Sequence, residues 1–353
     1  MRNCYTINVT SGTRYLIRAT FFYGNYDGLN KPPQFDLHLG TNVWDTVKLF
    51  SNELPFDEEA KYKEIIYTAS LDYIYIQLCL VNTGKGTPFI SAIELRPLNN
   101  EAYVLFSELS TFSRYDLGSN REYRYKDDVY DRIWEPYELS SDWRQLNASL
   151  NNDELVQNIY KPPAIVMSTA VTPVNASAPL QFHWDADNVN DQYYICLHYT
   201  EVEKLAGNET RAFNITLNGD FWYGPVIPKY REAHTLITTI SNTGSNQISL
   251  LKTEMSTLPP ILNAIEIYKR IDFSQSETLQ DDVIAMTNIN NAYGVARNWQ
   301  GDPCFPVNYM WEGLNCSIDG NNISRITSLD LSSSELTGNV ASSISKLTML
   351  QHL

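Results

Sequence analysis

The stretch from Trp299 to Leu353 limits the possible fold more than any other part of the chain. It reads WQGDPCFPVNYMWEGLNCS and then becomes an apolar ladder at Ile323, Ile326, Leu329, Leu331, Leu336 and Val340. The ladder restarts at Leu347, Leu350 and Leu353, each 24 residues after its counterpart. That period, with L-x-x-L-x-L spacing, marks a leucine-rich repeat, in which each turn of a solenoid contributes one short strand and stacks its leucines inward. A single repeat cannot bury its apolar face, and at least about three are needed for stability. The chain stops a few residues into the second, so its end is expected not to be the end of a folded unit.

A chain of 353 residues has room for two or three domains. Its formal net charge of −15 argues against nucleic-acid binding, which requires a basic footprint. No apolar run approaches the ~20 residues of a membrane span. Met1 is followed by Arg2, Asn3 and Cys4, with no apolar signal segment.

The five cysteines are Cys4, Cys79, Cys196, Cys304 and Cys316. A bond between Cys304 and Cys316 would close a turn-rich aromatic loop and cap the first leucine repeat. Zinc is the competing reading, but neither cysteine has a nearby His or a CxxC partner. Cys4 and Cys79 are a candidate second pair, and Cys196, inside an alternating strand pattern, is expected to be a buried free thiol. Sequons for N-glycosylation stand at Asn8, Asn147, Asn175, Asn208, Asn214, Asn315 and Asn322. Sequons and paired cysteines together point to an extracellular setting.

A longer repeat also runs through the chain. YLIRATF (Tyr15 to Phe21) matches YYICLHY (Tyr193 to Tyr199), and FDLHLG (Phe35 to Gly40) matches FNITLNG (Phe213 to Gly219), both offset by 178. PFISAIEL (Pro88 to Leu95) matches PILNAIEI (Pro260 to Ile267) at an offset of 172. Three blocks in one order, with a slip in one loop, indicate tandem copies of a module. Each block alternates apolar and polar residues, the period of a half-buried strand. Turn signals such as Gly24-Asn25, Gly84 to Pro88 and Asn242 to Gly244 separate the blocks, which predicts β-sandwiches.

The second copy runs from about Ser110 to Phe273. The first covers Arg2 to Leu98 and lacks a counterpart of 110–190, so an unpaired edge and an exposed core are expected there. A helix should follow, capped by Thr278, with Asp281 and Asp282 near its positive end and Gly294 as its stop.

Across these elements the chain resembles the ectodomains of plant receptor-like kinases that join malectin-like domains to leucine-rich repeats. The resemblance is carried by RNCYT, YGNYDGLN, NVWDTV, CLVNTGKGTPFISAIELRPL, DRIWEPY, NWQGDPC and WEGLNC, in the family's order. It implies a mainly β fold of tandem malectin-like β-sandwiches, then a short helix and the start of a leucine-rich-repeat solenoid. The expected divisions are 1–98, 99–273, a helical linker and GDPC cap at 274–322, and repeats at 323–353. Full receptors of this kind have more repeats, one membrane span and a kinase downstream. No kinase glycine loop, HRD or DFG occurs here, so no catalysis is expected in this chain.

Malectin modules resemble carbohydrate-binding domains, in which flat aromatic faces hold sugar rings. Candidate ligand contacts are Tyr23, Tyr26 and Asp27 in one loop, Trp44 nearby in sequence, and Phe221, Trp222 and Tyr223 after Asn218-Gly219. The second copy carries Glu201, Glu203 and Lys204 where the first has Tyr23 and its neighbours. Acidic pairs such as Asp127-Asp128 and Asp281-Asp282 read as solvated charge. The five scattered His residues show no metal spacing, and no cofactor is expected.

The sequence thus reads as the extracellular ligand-recognition region of a plasma-membrane receptor-like kinase. It would bind carbohydrate or peptide, a co-receptor ectodomain, or both. Its membrane attachment would come only through a span absent from this chain. The alternatives are a secreted carbohydrate-binding protein of the same fold and a non-functional truncated product.

Overall fold

The computed structural model describes residues 2–49, 60–71, 74–151, 157–241, 244–320 and 323–353. The Asn322 sequon and Asn242 of one turn signal lie outside the described residues.

Seven strands build the first unit: β1 (Arg2–Asn8), β2 (Arg14–Phe21), β3 (Gln34–Leu39), β4 (Asn42–Lys48), β5 (Lys61–Thr68), β6 (Tyr75–Lys85) and β7 (Ala92–Pro97). After them come β8 (Glu108–Asp116), the short β9 (Glu135–Pro136), β10 (Trp143–Asn147), a helical turn α1 (Ala164–Met167) and β11 (Thr169–Pro173). The second unit continues with β12 (Leu180–Asp185), β13 (Gln192–Tyr199), β14 (Phe213–Leu217), β15 (Asp220–Val226), β16 (His234–Ser241), β17 (Ser245–Lys252) and β18 (Ala264–Arg270).

The internal repeat reappears as topology. One sheet has the order β1-β6-β3-β4 and its counterpart the order β12-β17-β14-β15. The facing strands do not form two separate sheets. They join in one eight-stranded sheet, β16-β13-β18-β8-β5-β2-β7 with the short β9 beside β8, in which β8 pairs with β18 of the second unit and β5 of the first. The anticipated open edge is β7, which ends this sheet. At that edge Ile93 and Leu95 are half-buried, whereas Ile17, Phe35, Leu37, Ile65 and Leu78 inside the first sandwich are sealed.

Burial departs from simple alternation where the shared sheet is covered on both faces. In β12, Leu180, Phe182 and Trp184 point inward, while Gln181 and His183 lie at the surface side. In β13 seven consecutive residues, Tyr193 to Tyr199, are buried. One face packs in the second sandwich. The other carries Tyr194 and the free thiol Cys196 under Tyr103 and Tyr160, in a separate cluster. A strand buried on both sides loses the alternating pattern of a half-buried one.

At the carboxyl end, α2 spans Gln280–Tyr293 and ends on Gly294 in the left-handed region (φ 59°), a conformation glycine adopts without the Cβ penalty. Thr278 does not cap it. Its backbone N–H and hydroxyl both donate to Asp302, at 2.8 and 2.6 Å, so the expected cap residue instead ties the helix entry to the GDPC turn. Asp282 is not solvated. It is fully buried, accepts two hydrogen bonds from Arg325 and receives the Ile326 N–H, while Asp281 stays exposed. Strands β19 (Leu314–Ile318) and β20 (Ser324–Leu329) pair antiparallel, and Cys304–Cys316 closes the loop below them. Cys4–Cys79 joins directly opposed residues of β1 and β6. A parallel bridge links Ser328 to His352, 24 residues on.

The carboxyl-terminal segment docks on the first unit, about 300 residues back along the chain. Arg2 donates to the carbonyls of Asp302 (2.6 Å) and Phe305 (2.9 Å), and Gln275 exchanges hydrogen bonds with Asn42. The first unit is therefore held at both flanks, by β8 on one side and by the GDPC turn on another. Among the described residues, no helix is long and apolar enough to cross a membrane.

Candidate functional site

Charged residues in the middle of strands build an extended buried cluster. Arg18 on β2 pairs with Glu64 on β5 at 2.7 Å, and Arg114 on β8 bridges Glu64 (2.7 Å) and Glu266 on β18 (2.9 Å). The imidazole of His198 on β13 meets Glu266 at 2.9 Å and Thr235 at 2.8 Å. The line crosses six neighbouring strands, with Arg18 opposite Glu64 and Arg114 opposite Glu266 in register. A covering segment completes it: Arg132 pairs with Asp128 (2.8 Å), and Asp131 receives Arg18 and Arg124. Asp128, expected in solvent, is fully buried and also receives the Trp134 indole N–H at 2.7 Å.

Burial alone would push the Glu266 carboxyl up, but Arg132, the His198 hydrogen bond and Arg114 outweigh it and hold Glu266 well below the usual carboxylate range. Burial pushes His198 down. The imidazole is therefore neutral, with Nε2–H donating to Glu266 and Nδ1 accepting from Thr235. These groups are sealed from solvent, so their role is to hold the two units in fixed register.

Asp116, where β8 ends, behaves in the opposite way. One oxygen accepts from Thr169 (2.9 Å) and Gly118 (3.1 Å); the other is buried without a partner. Burial raises its pKa to about 7, with those hydrogen bonds pulling the other way. A folded pKa above the unfolded value means the folded state holds the extra proton. Its stabilising contribution is complete below pH ~4 and is lost as pH rises through about 7. Asp116→Asn is therefore expected to gain stability relative to wild type at pH 8 compared with pH 4, measured by urea denaturation at both pH values. An unchanged difference would contradict this assignment.

The candidate ligand residues do not converge on one place. Tyr23 donates to Asp27 at 2.5 Å, a bond that holds the Asp27 carboxyl below its usual range. The Tyr26 hydroxyl donates to the Thr87 carbonyl, and its ring packs edge-on against Phe89 while that of Tyr23 is tilted to it. Tyr26 keeps 54% of its surface exposed, the largest free aromatic face of this loop. Trp44 lies apart from it, 4% exposed in the core of the first sandwich, with its indole N–H toward Ser110. Trp222 and Tyr223 sit on β15 rather than in a loop. Asn218 and Gly219, both at positive φ, turn the chain directly back into that strand. Trp222 packs partly on the second core and Tyr223 is exposed.

A cleft of about 1140 Å³ lies elsewhere on the second unit, at residues that the sequence reading does not single out. Its apolar floor holds Tyr115, Tyr137 and Trp143, the last two stacked at 5.7 Å and 16°. Its rim carries Asp142, Asn175 and the outward-facing His183 of β12. Antiparallel pairing of Trp143 with Pro173 brings the two walls together. The YELSSDW segment was the available signal: two aromatic residues bracketing small hydroxyls and carboxylates next to a strand. Among the described residues no group of His, Cys, Asp and Glu side chains could hold a metal ion.

The family model for the malectin-like domain matches residues 1–270. A probable LRR receptor-like serine/threonine-protein kinase of Arabidopsis thaliana is 44% identical over 359 aligned residues, covering all of this chain and 39% of that protein. Another from the same plant is 46% identical, covering 99% of this chain and 41% of its own length. The chain thus spans about two-fifths of the length of these relatives. In fold it is similar to the ANX2 ectodomain from Arabidopsis thaliana, with TM-score 0.63, 19% identity and coverage of 77% of this chain and 82% of that one. It is also similar to a chain in the complex of the plant peptide RALF23 with FER and LLG2, with TM-score 0.60, 18% identity and coverage of 77% and 82%. Two sandwiches built on one repeat, with a matching family model over most of the chain, place this protein in the malectin-like domain family.

Proposed function

We propose that this chain is the extracellular ligand-recognition region of a plant receptor-like kinase at the plasma membrane, and that its second unit binds carbohydrate in the cleft floored by Tyr137 and Trp143. The cleft carries this reading: the stacked Tyr137 and Trp143 rings in its lining suit the apolar face of a sugar ring, and Asp142 and His183 beside them suit hydroxyl groups. The shared sheet presents the cleft on a rigid base, the usual support for recognition loops. The exposed face of Tyr26, with Asp27 beside it, is a second contact region, and Tyr223 a third.

A peptide and a co-receptor are the second reading, favoured by similarity to a chain crystallised with RALF23 and LLG2. Residues 323–353 are read as the start of a leucine-rich-repeat solenoid. The parallel bridge between Ser328 and His352 and the burial of Ile326, Leu329 and Leu347 support it.

Calorimetric titration of the secreted chain, freed of its N-glycans, with a panel of plant cell-wall oligosaccharides tests the carbohydrate reading. Trp143→Ala is expected to weaken binding of a panel member by about tenfold or more, about 1.4 kcal/mol. Unaltered affinity in that variant, or no binding across the panel, would overturn it.

A further inference from the structure

We propose that an N-linked glycan on Asn175 folds back into the Tyr137–Trp143 cleft and occupies it as a built-in ligand. This rests on the extracellular reading above. Of the described sequons, Asn175 alone lines this cleft. β11 ends at Pro173, and the Val174 N–H donates to the Asp142 carbonyl at 2.8 Å, which pins the sequon against the 140–143 turn. Asn175 Oδ1 accepts the Ser177 N–H at 3.0 Å. Its Nδ2, the atom that would carry the sugar, makes no hydrogen bond among the described residues, and the residue is exposed. By contrast Asn214 is half-buried on β14, with its side chain against Gly224.

The covalent step needs a lipid-linked diphosphate oligosaccharide as donor. Asn175 Nδ2 forms the bond to C1 of the first N-acetylglucosamine and loses a proton, the C1–oxygen bond to the diphosphate breaks, and the lipid diphosphate leaves. The first sugars then begin at the rim. The cleft exceeds the ~300–1,000 Å³ of ordinary small-molecule pockets, so it has room for a short run of sugars rather than one ring. The Asp142 carboxylate and His183 imidazole have no partner among the described residues and are placed to take sugar hydroxyl and N-acetyl groups. The consequence is regulatory: an occupied cleft competes with free oligosaccharide.

Ser177→Ala removes the sequon while leaving Asn175 and the Ser177 backbone bond in place. The full chain, wild type and variant, would be expressed in a plant secretory host. Glycopeptide mass spectrometry would read occupancy, and hydroxyl-radical footprinting would read the exposure of Tyr137, Trp143 and Trp222. The expected result is a glycan on Asn175 and severalfold slower labelling of Tyr137 and Trp143 than in S177A, with Trp222 unchanged. Glycans on other sequons with Asn175 bare would overturn the inference alone, as would an occupied Asn175 with equal labelling. No glycan at any sequon would overturn the inference together with the extracellular reading.

Discussion

Replacing Glu266 with Gln is expected to cost about 3–5 kcal/mol of folding stability, the loss typical of breaking a buried ion pair from one side. Glu266 is completely buried and is the point where the two halves of the ladder meet. It receives Arg114, Arg132, His198, Tyr103 and Tyr268, so a neutral amide leaves two guanidinium groups short of a counter-charge inside the protein. Glu203→Gln is the matched control. Glu203 also binds an arginine, Arg211, at 2.9 Å, but its side chain is 39% exposed, and such pairs contribute about 0–1 kcal/mol. Urea denaturation of the two variants should separate them clearly. A Glu266→Gln loss no larger than that of Glu203→Gln would mean the ladder does not hold the units together.

Replacing Asp302 with Ala should cost about 3 kcal/mol, because several buried donors lose their acceptor and each carries a penalty of about 1–3 kcal/mol, partly offset by no longer burying a charge. The donors are the Thr278 N–H and hydroxyl and the N–H groups of Cys304 and Phe305. Burial pushes the Asp302 carboxyl up, and these hydrogen bonds pull it back. The turn they shape also presents the carbonyls that Arg2 grips. Damage should therefore appear in two places far apart in sequence: faster proteolysis around the GDPC turn and faster hydrogen exchange at β1. Asp302→Asn, which keeps an acceptor oxygen, should fall between the two. Faster proteolysis without any change at β1 would contradict the docking role.

Much of this architecture was legible because it is local. The tandem blocks, the Cys304–Cys316 pair, the buried Cys196 and the Gly294 stop follow from repeats, short spacings and the left-handed preference of glycine. The shared sheet was not, because β8 precedes the second copy and nothing in its residues says that it also borders β5. The ladder draws Arg18, Glu64, Arg114 and Glu266 from four distant segments. Each does carry a local signal, a charged residue inside an apolar strand run such as YLIRATF or AIEIY. The acidic pairs misled for a related reason. In a pair such as Asp127-Asp128, adjacent side chains diverge, so one is solvated while the other is buried against an arginine. Trp44 follows Val43 in NVWDTV, where both are apolar and the sequence does not say which faces inward; the structure buries Trp44 and exposes Val43. Trp44→Ala would thus report on folding, since emptying a buried Trp site costs about 3–5 kcal/mol.

Native-state hydrogen exchange across the shared sheet tests the central claim, that the two units form one rigid recognition body. Under increasing urea, core amides of β2 and β13 should converge on a common opening free energy, because the sheet and its ladder link them. Two separate values, with β2 opening well before β13, would show that the units unfold independently and would contradict it.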